Sequence, residues 1–378
     1  MTNSSRCFIL LLVLTFSLLP TQQVNANSLS YAGEFSYAVN INPLENSVAN
    51  ALVQARNLNP DWLMVDFDWN TWFPSNDAVQ NFQALDTLMQ FAEDNRIAVC
   101  IRILNPPQWA LSALGPDHNS SIDLIHFLMN RYPSSMKAVE VFPGANTTKG
   151  WGAAPSAQAY VDLLDAVQQS LIREELNLTL VAGGLVTVAS PDQTTNISDL
   201  SFLEGLYGAG LNGLNVILSL QLLDLEPNLL QASKNNNDPV LLHIDAIQNV
   251  MALNNDEVGP VWITAISYRN GQAQRPAALS DTCALLRSRL FVALISPVTL
   301  TPASNAPGMM SISDVDGSAD TMQQLIADNH SEIRSPITAR SKNLQSISKE
   351  DTIYESRPLQ SFFSHLFGLS RSWFGDSP

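Results

Sequence analysis

From Glu34 onward, short apolar runs alternate with longer stretches in which apolar residues recur at helical spacing, a pattern that predicts parallel strands joined by crossover helices. Strands are predicted over 35–41, 62–67, 97–104, 138–142, 178–182, 214–220, 261–266 and 297–301. Helices are predicted over 47–58, 78–95, 122–132, 156–174, 200–207, 239–253, 277–294 and 319–327. In the 78–95 stretch Val79, Phe82, Leu85, Leu88, Met89 and Ala92 share one helical face. Eight strand-helix units predict an α/β fold of the TIM (β/α)8 barrel type, with any active site at the C-terminal ends of the strands. An open doubly wound sheet is the competing architecture, but no Gly-x-Gly-x-x-Gly or Walker loop follows any strand.

Composition narrows the partners. The 378 residues, 46% hydrophobic, can bury a large core. With 19 Lys and Arg against 35 Asp and Glu, the formal charge is −16 and a nucleic-acid backbone would be repelled. At the N-terminus Arg6 precedes an apolar run from Cys7 to Leu19, then Pro20 and the small-residue motif Val24-Asn25-Ala26. Residues 1–26 therefore read as a signal peptide whose removal leaves a secreted or cell-surface chain without a transmembrane span; an uncleaved anchor is the alternative. Cys100 and Cys283 then remain, too few for a disulfide framework, and are expected as separately buried thiols. Asn119, Asn146, Asn177, Asn196 and Asn329 each open an Asn-x-Ser/Thr sequon.

Beyond the barrel, assigned to residues 27–330, the composition becomes polar over 331–357, as in a linker. Residues 358–378 place Leu359, Phe362, Phe363, Leu366, Phe367, Leu369, Trp373 and Phe374 on one helical stripe. Such a segment either folds back on the barrel or docks on a protein partner or the cell envelope.

The stretch Lys137 to Trp151, KAVEVFPGANTTKGW, carries an apolar strand into a Pro-Gly break and a polar loop. It resembles the fourth strand of clan A glycoside hydrolases, the cellulase- and xylosidase-like barrels. There a Glu-Val-Trp-Asn-Glu-Pro-Asn frame ends in the general acid/base. This chain reads Glu140, Val141, Phe142, Pro143, Gly144, Ala145, Asn146, so Gly144 stands where the resemblance implies the acid/base. Further resemblances are Ala38 to Pro43 to the first strand, Asp66 to Trp69 to the second, Asn105 to Trp109 to the third-strand exit and Asp314 to Gly317 to the eighth-strand loop. On the seventh strand, relatives read Trp-Ile-Thr-Glu; here Trp262-Ile263-Thr264-Ala265 puts Ala265 at the implied nucleophile position. The family's sixth-strand His-Pro-Tyr maps onto Ile217-Leu218-Ser219.

Retaining hydrolysis needs two carboxyls about 5 Å apart, one acid and one nucleophile, and Gly144 and Ala265 supply neither. Asp66 and Asp68 are read as presenting one carboxylate to the barrel interior, and Glu140 as a buried, hydrogen-bonded structural acid. His118, His126, His243, His330 and His365 show no metal-ligand spacing, so neither metal nor cofactor is expected. Aromatic residues and amides fall at the predicted strand ends: Trp69, Trp72, Trp109, Trp151 and Tyr268 with Asn105, Gln108 and Asn146. These are the candidate ligand-binding residues, because flat rings beside amides suit the apolar faces and hydroxyl rims of sugars. The expectation is a secreted, catalytically inactive glycoside-hydrolase-like barrel that binds a glycan or a protein. The alternatives are a hydrolase with relocated carboxylates and an assembly component of the envelope.

Overall fold

A computed structural model of the chain describes residues 35–45, 48–76, 81–188, 191–192, 194–225, 239–268, 276–301, 309–312 and 317–333. The proposed signal peptide and C-terminal apolar segment lie outside these residues, as do Val79, Asp314, Asp316 and the proposed linker beyond residue 333; residues 331–333, assigned to that linker, instead end the last helix.

Eight parallel strands close into a barrel: β1 Ser36–Ile41, β2 Trp62–Asp68, β3 Ala98–Leu104, β4 Met136–Val141, β5 Thr179–Val186, β6 Val216–Leu225, β7 Val261–Tyr268 and β8 Val292–Ile295. Each pairs with the next, and the ring closes where Ser36 and Tyr37 of β1 meet Leu294 and Ile295 of β8. The helices that follow the strands in turn are α1 Val48–Leu58, α2 Gln83–Asp94, α3 His118–Arg131, α4 Ala157–Arg173, α5 Asp199–Gly208, α6 Pro239–Leu253, α7 Pro276–Arg287 and α8 Ser318–Ile333. The open doubly wound sheet is thereby excluded.

The strands alternate as their pleat requires. Val39, Leu63, Val65, Val99, Ile101, Val139 and Ile263 join the large core between strands and helices. Residues of the other parity, Ala38, Trp62, Met64, Cys100, Ala138, Val181, Trp262 and Leu294, form a separate cluster inside the barrel. There the rings of Trp62 and Trp262 meet edge to face, with centroids 5.0 Å apart. Both cysteines are free and buried.

One element differs from the sequence expectation. The stretch 277–294 is not one helix: α7 ends at Arg287 and the eighth barrel strand is Val292–Ile295, while the expected strand at 297–301 supplies only a two-residue bridge, Val298–Thr299, beside β1. The apolar spacing of α7 runs unbroken into β8, and the turn between them, Ser288 to Phe291, contains neither Gly nor Pro to mark the change.

Candidate functional site

Above the apolar interior cluster lies a polar layer contributed by five strands and by the residue that follows β8. Arg102 on β3 is 3% exposed, and its Nε donates to Glu140 Oε2 on β4 at 2.8 Å. Its Nη1 donates to Asn40 Oδ1 on β1 at 2.8 Å and lies 3.1 Å from Asp66 Oδ1 on β2. Glu140 Oε1 accepts from the Thr264 hydroxyl on β7 at 2.8 Å, and Asn40 Nδ2 donates to Ser296 Oγ, just past the end of β8, at 2.7 Å. Burial works against the charge on Arg102, yet the carboxylates of Asp66 and Glu140 outweigh it and hold the guanidinium above its usual pKa. Glu140 is fully buried and hydrogen-bonded, the role expected of it. The expectation that only one of Asp66 and Asp68 faces inward was wrong. Residues two apart share a face of a strand, so Asp66 meets Arg102 while Asp68 lies one layer higher. Asp68 is fully engaged there: Oδ1 accepts from Thr71 N at 2.8 Å and Oδ2 from Asn105 Nδ2 at 2.6 Å.

The exit of β4 is a rebuilt backbone rather than a loop lacking one side chain. Phe142 has φ +49° and Gly144 φ +85°, the left-handed region that L side chains seldom adopt. Gly144 N donates to the carbonyl of Gly184 at 2.9 Å. Gly184 itself has φ +46°, and a Cβ there would lie 2.5 Å from Pro143 Cβ. Asn146 completes the junction with no exposed surface: Nδ2 donates to the carbonyls of Val186 and Ile197, and Oδ1 accepts from Val186 N. Asn146 therefore clamps the β4 loop to the end of β5.

At β7 the register shifts. Ile263 pairs with Leu220 and Ala265 with Gln221, which leaves Thr264 as the extra residue aimed at Glu140. Ala265 is completely buried and packs with Met309, with Leu223 against the pair.

The candidate aromatic residues are brought together, but mostly as packing. Trp69, Trp72 and Trp151 are buried to 1%, 2% and 1% exposure. Trp69 stacks on Phe142, and Trp151 sits edge to face with Phe142 and Tyr160. Trp151 Nε1 donates to the Leu114 carbonyl at 2.8 Å. Trp72 is sandwiched between Phe67 and Phe82. Those three tryptophans and Asn146 thus offer no surface to a ligand in this conformation. Trp109 is half-exposed, with its Nε1 held by the Phe73 carbonyl at 2.8 Å. Beside it Asn105 is half-buried at φ +48° and Gln108 is exposed. Tyr268 ends β7, and its side chain lies outside the described residues.

Arg102, Asn40, Thr264 and Ser296 were missed by the sequence reading. Arg102 left a signal, a lone basic residue inside the buried run AVCIRIL; the uncharged partners left none. His126 and His243 serve contacts between outer helices, His126 Nε2 lying 3.2 Å from Ser170 Oγ and His243 Nε2 2.6 Å from Asp199 Oδ2. Among the described residues no group of His, Cys, Asp and Glu is arranged to hold a metal ion, and no helix is long and apolar enough to cross a membrane.

No family model and no curated protein matches the chain. Solved structures do. A GH5_18 glycoside hydrolase from Bifidobacterium longum, solved with Manβ1-4GlcNAc, superposes with TM-score 0.56 at 11% identity over 78% of each chain. A GH5_18 protein from Streptomyces cattleya in complex with GlcNAc gives TM-score 0.56 at 10% identity, covering 79% of this chain and 81% of the other. A family 39 glycoside hydrolase from Bacteroides cellulosilyticus gives 0.52 at 12% identity, over 78% of this chain and 64% of the other. The chain thus shares the (β/α)8 barrel fold of these glycoside hydrolases.

Proposed function

We propose that this protein is an exported barrel of glycoside-hydrolase fold that binds carbohydrate without hydrolysing it. The observation that carries this reading is the backbone at Gly144. A position that would have to present a general acid instead has φ +85° and lies in a loop clamped from beneath by Asn146. The implied nucleophile position, Ala265, is closed off by Met309 and Leu223. Among the described residues, the inward carboxylates nearest the mouth are already committed, Asp66 and Glu140 to one guanidinium and Asp68 to Thr71 and Asn105. None is free to protonate a leaving oxygen or to attack an anomeric carbon.

A carbohydrate ligand is supported by the fold likeness to proteins solved with Manβ1-4GlcNAc and GlcNAc. It is also supported by the half-exposed Trp109 ring beside Asn105 and Gln108 at the β3 exit. Burial of the other tryptophans narrows the proposed contact to that rim. Calorimetric titration with β-linked manno- and gluco-oligosaccharides tests the reading. Binding that is lost in Trp109→Ala while the melting curve is kept supports it, and absence of binding to every sugar counts against it.

A further inference from the structure

The five sequons that follow the proposed signal peptide are treated unequally by the fold. Asn119, at the start of α3, and Asn177, before β5, are exposed, and Asn196 is half-buried. Asn146 has no accessible surface, and its Nδ2 donates two buried hydrogen bonds, 2.9 Å to Val186 O and 2.8 Å to Ile197 O. An N-glycan is attached through that nitrogen: one N–H is exchanged for a bond to the anomeric carbon of the first sugar. A sugar on Asn146 would therefore delete one of the two bonds, leave a buried carbonyl unpaired, and demand space for a hexose inside a closed loop. Burial in the finished fold gives no protection, because transfer acts on the extended chain as it crosses the membrane, before the loop forms. The neighbouring Thr148 completes the sequon, yet among the described residues its Oγ1 is buried without a hydrogen-bond partner, so the fold has no use for that hydroxyl.

We propose that the β4 loop makes this barrel incompatible with a compartment that transfers N-glycans. A sugar on Asn146 prevents the β4–β5 clamp from closing, so the chain matures where no such transferase acts, and Asn119 and Asn177 are the positions where the finished fold tolerates one. The inference concerns the route of maturation and does not depend on what the barrel binds.

The test compares the full chain with its Thr148→Ala variant, which removes the sequon and leaves Asn146 in place. Both carry Ser331→Ala to silence the buried Asn329 sequon. Made in the bacterial cytosol, the two are expected to fold and to melt alike. Routed through the secretory pathway of insect cells, the chain with Thr148 is expected to be retained as a misfolded glycoprotein with sugar on Asn146. The Thr148→Ala chain is expected to be secreted in several-fold larger amount, folded, with glycans mapped by peptide mass spectrometry to Asn119 and Asn177. Secretion of folded protein with Thr148 intact, in comparable amount and whether or not Asn146 is occupied, would overturn the proposal. Equal retention of the Thr148→Ala chain would overturn it too.

Discussion

Without the guanidinium of Arg102, Glu140 would face only the Thr264 hydroxyl at a site with no access to water, and Asp66 would lose its cation. Stripping one partner from a buried ion pair costs roughly 3–5 kcal/mol, because the stranded charge stays desolvated. Arg102→Met is accordingly expected to lower stability by about that amount. The native protein should lose stability in acid through carboxylates outside this layer. Asp86, held below its ordinary pKa mainly by the hydrogen bond from Arg131, and Asp117, held down mainly by the Ser120 backbone N–H, contribute stability above that ordinary value. That contribution is lost as pH falls through the depressed values. Urea melts of the native protein from about pH 5 down to about pH 2, across and below the ordinary carboxylate range, check this; stability that does not fall over that interval would refute the assignment. A second outcome rests on the thiols. Burial pushes Cys283 up to about 12 and Cys100 well above its ordinary value. Neither is expected to react with a thiol reagent at pH 8 until denaturant is added, since the thiolate is the reactive form.

At the scale of elements, the loops after β2, β3 and β4 are held by an aromatic layer rather than by a cleft floor. Trp151 is pinned by Phe142, Tyr160 and the Leu114 carbonyl, and Gly115 lies so close beneath it that a Cβ would meet the indole at 2.2 Å. Trp151→Ala should therefore cost roughly 3–5 kcal/mol. Trp109→Ala, at a half-exposed ring, should cost clearly less and act on ligand binding instead. Equal melting temperatures for the two variants would show that this division is wrong. Sequence placed all five aromatic candidates at strand ends because a strand-helix pattern fixes chain position along the barrel axis. It could not say which rings point outward, because that depends on the left-handed turns at Phe142 and Gly144 and on partners from loops distant in sequence. The same limit explains β8: its four residues, VALI, continue the apolar spacing of α7, and only pairing with β7 on one side and with Ser36 and Tyr37 on the other makes them a strand. The seven other strands were legible because each is an apolar run bounded by polar residues or turn formers.

For the molecule as a whole, the alternation of eight apolar runs with amphipathic stretches led to the observed architecture, and the resemblance in the β4 and β7 stretches agrees with it. Eight strands bring Asp66, Asp68 and Glu140 to the inner face, and each carboxylate is engaged by a cation, an amide, a hydroxyl or a backbone N–H. The polar layer thus reads as interior packing in a molecule of charge −16. The central claim is catalytic silence, and it is tested most directly by incubating the purified protein at high concentration with aryl β-glycosides and β-linked mannans and glucans, followed by sensitive detection of released sugar or phenol. The account predicts no release above that of a heat-unfolded control. Release that vanishes in Asp68→Asn or Glu140→Gln, with the fold intact, would contradict it.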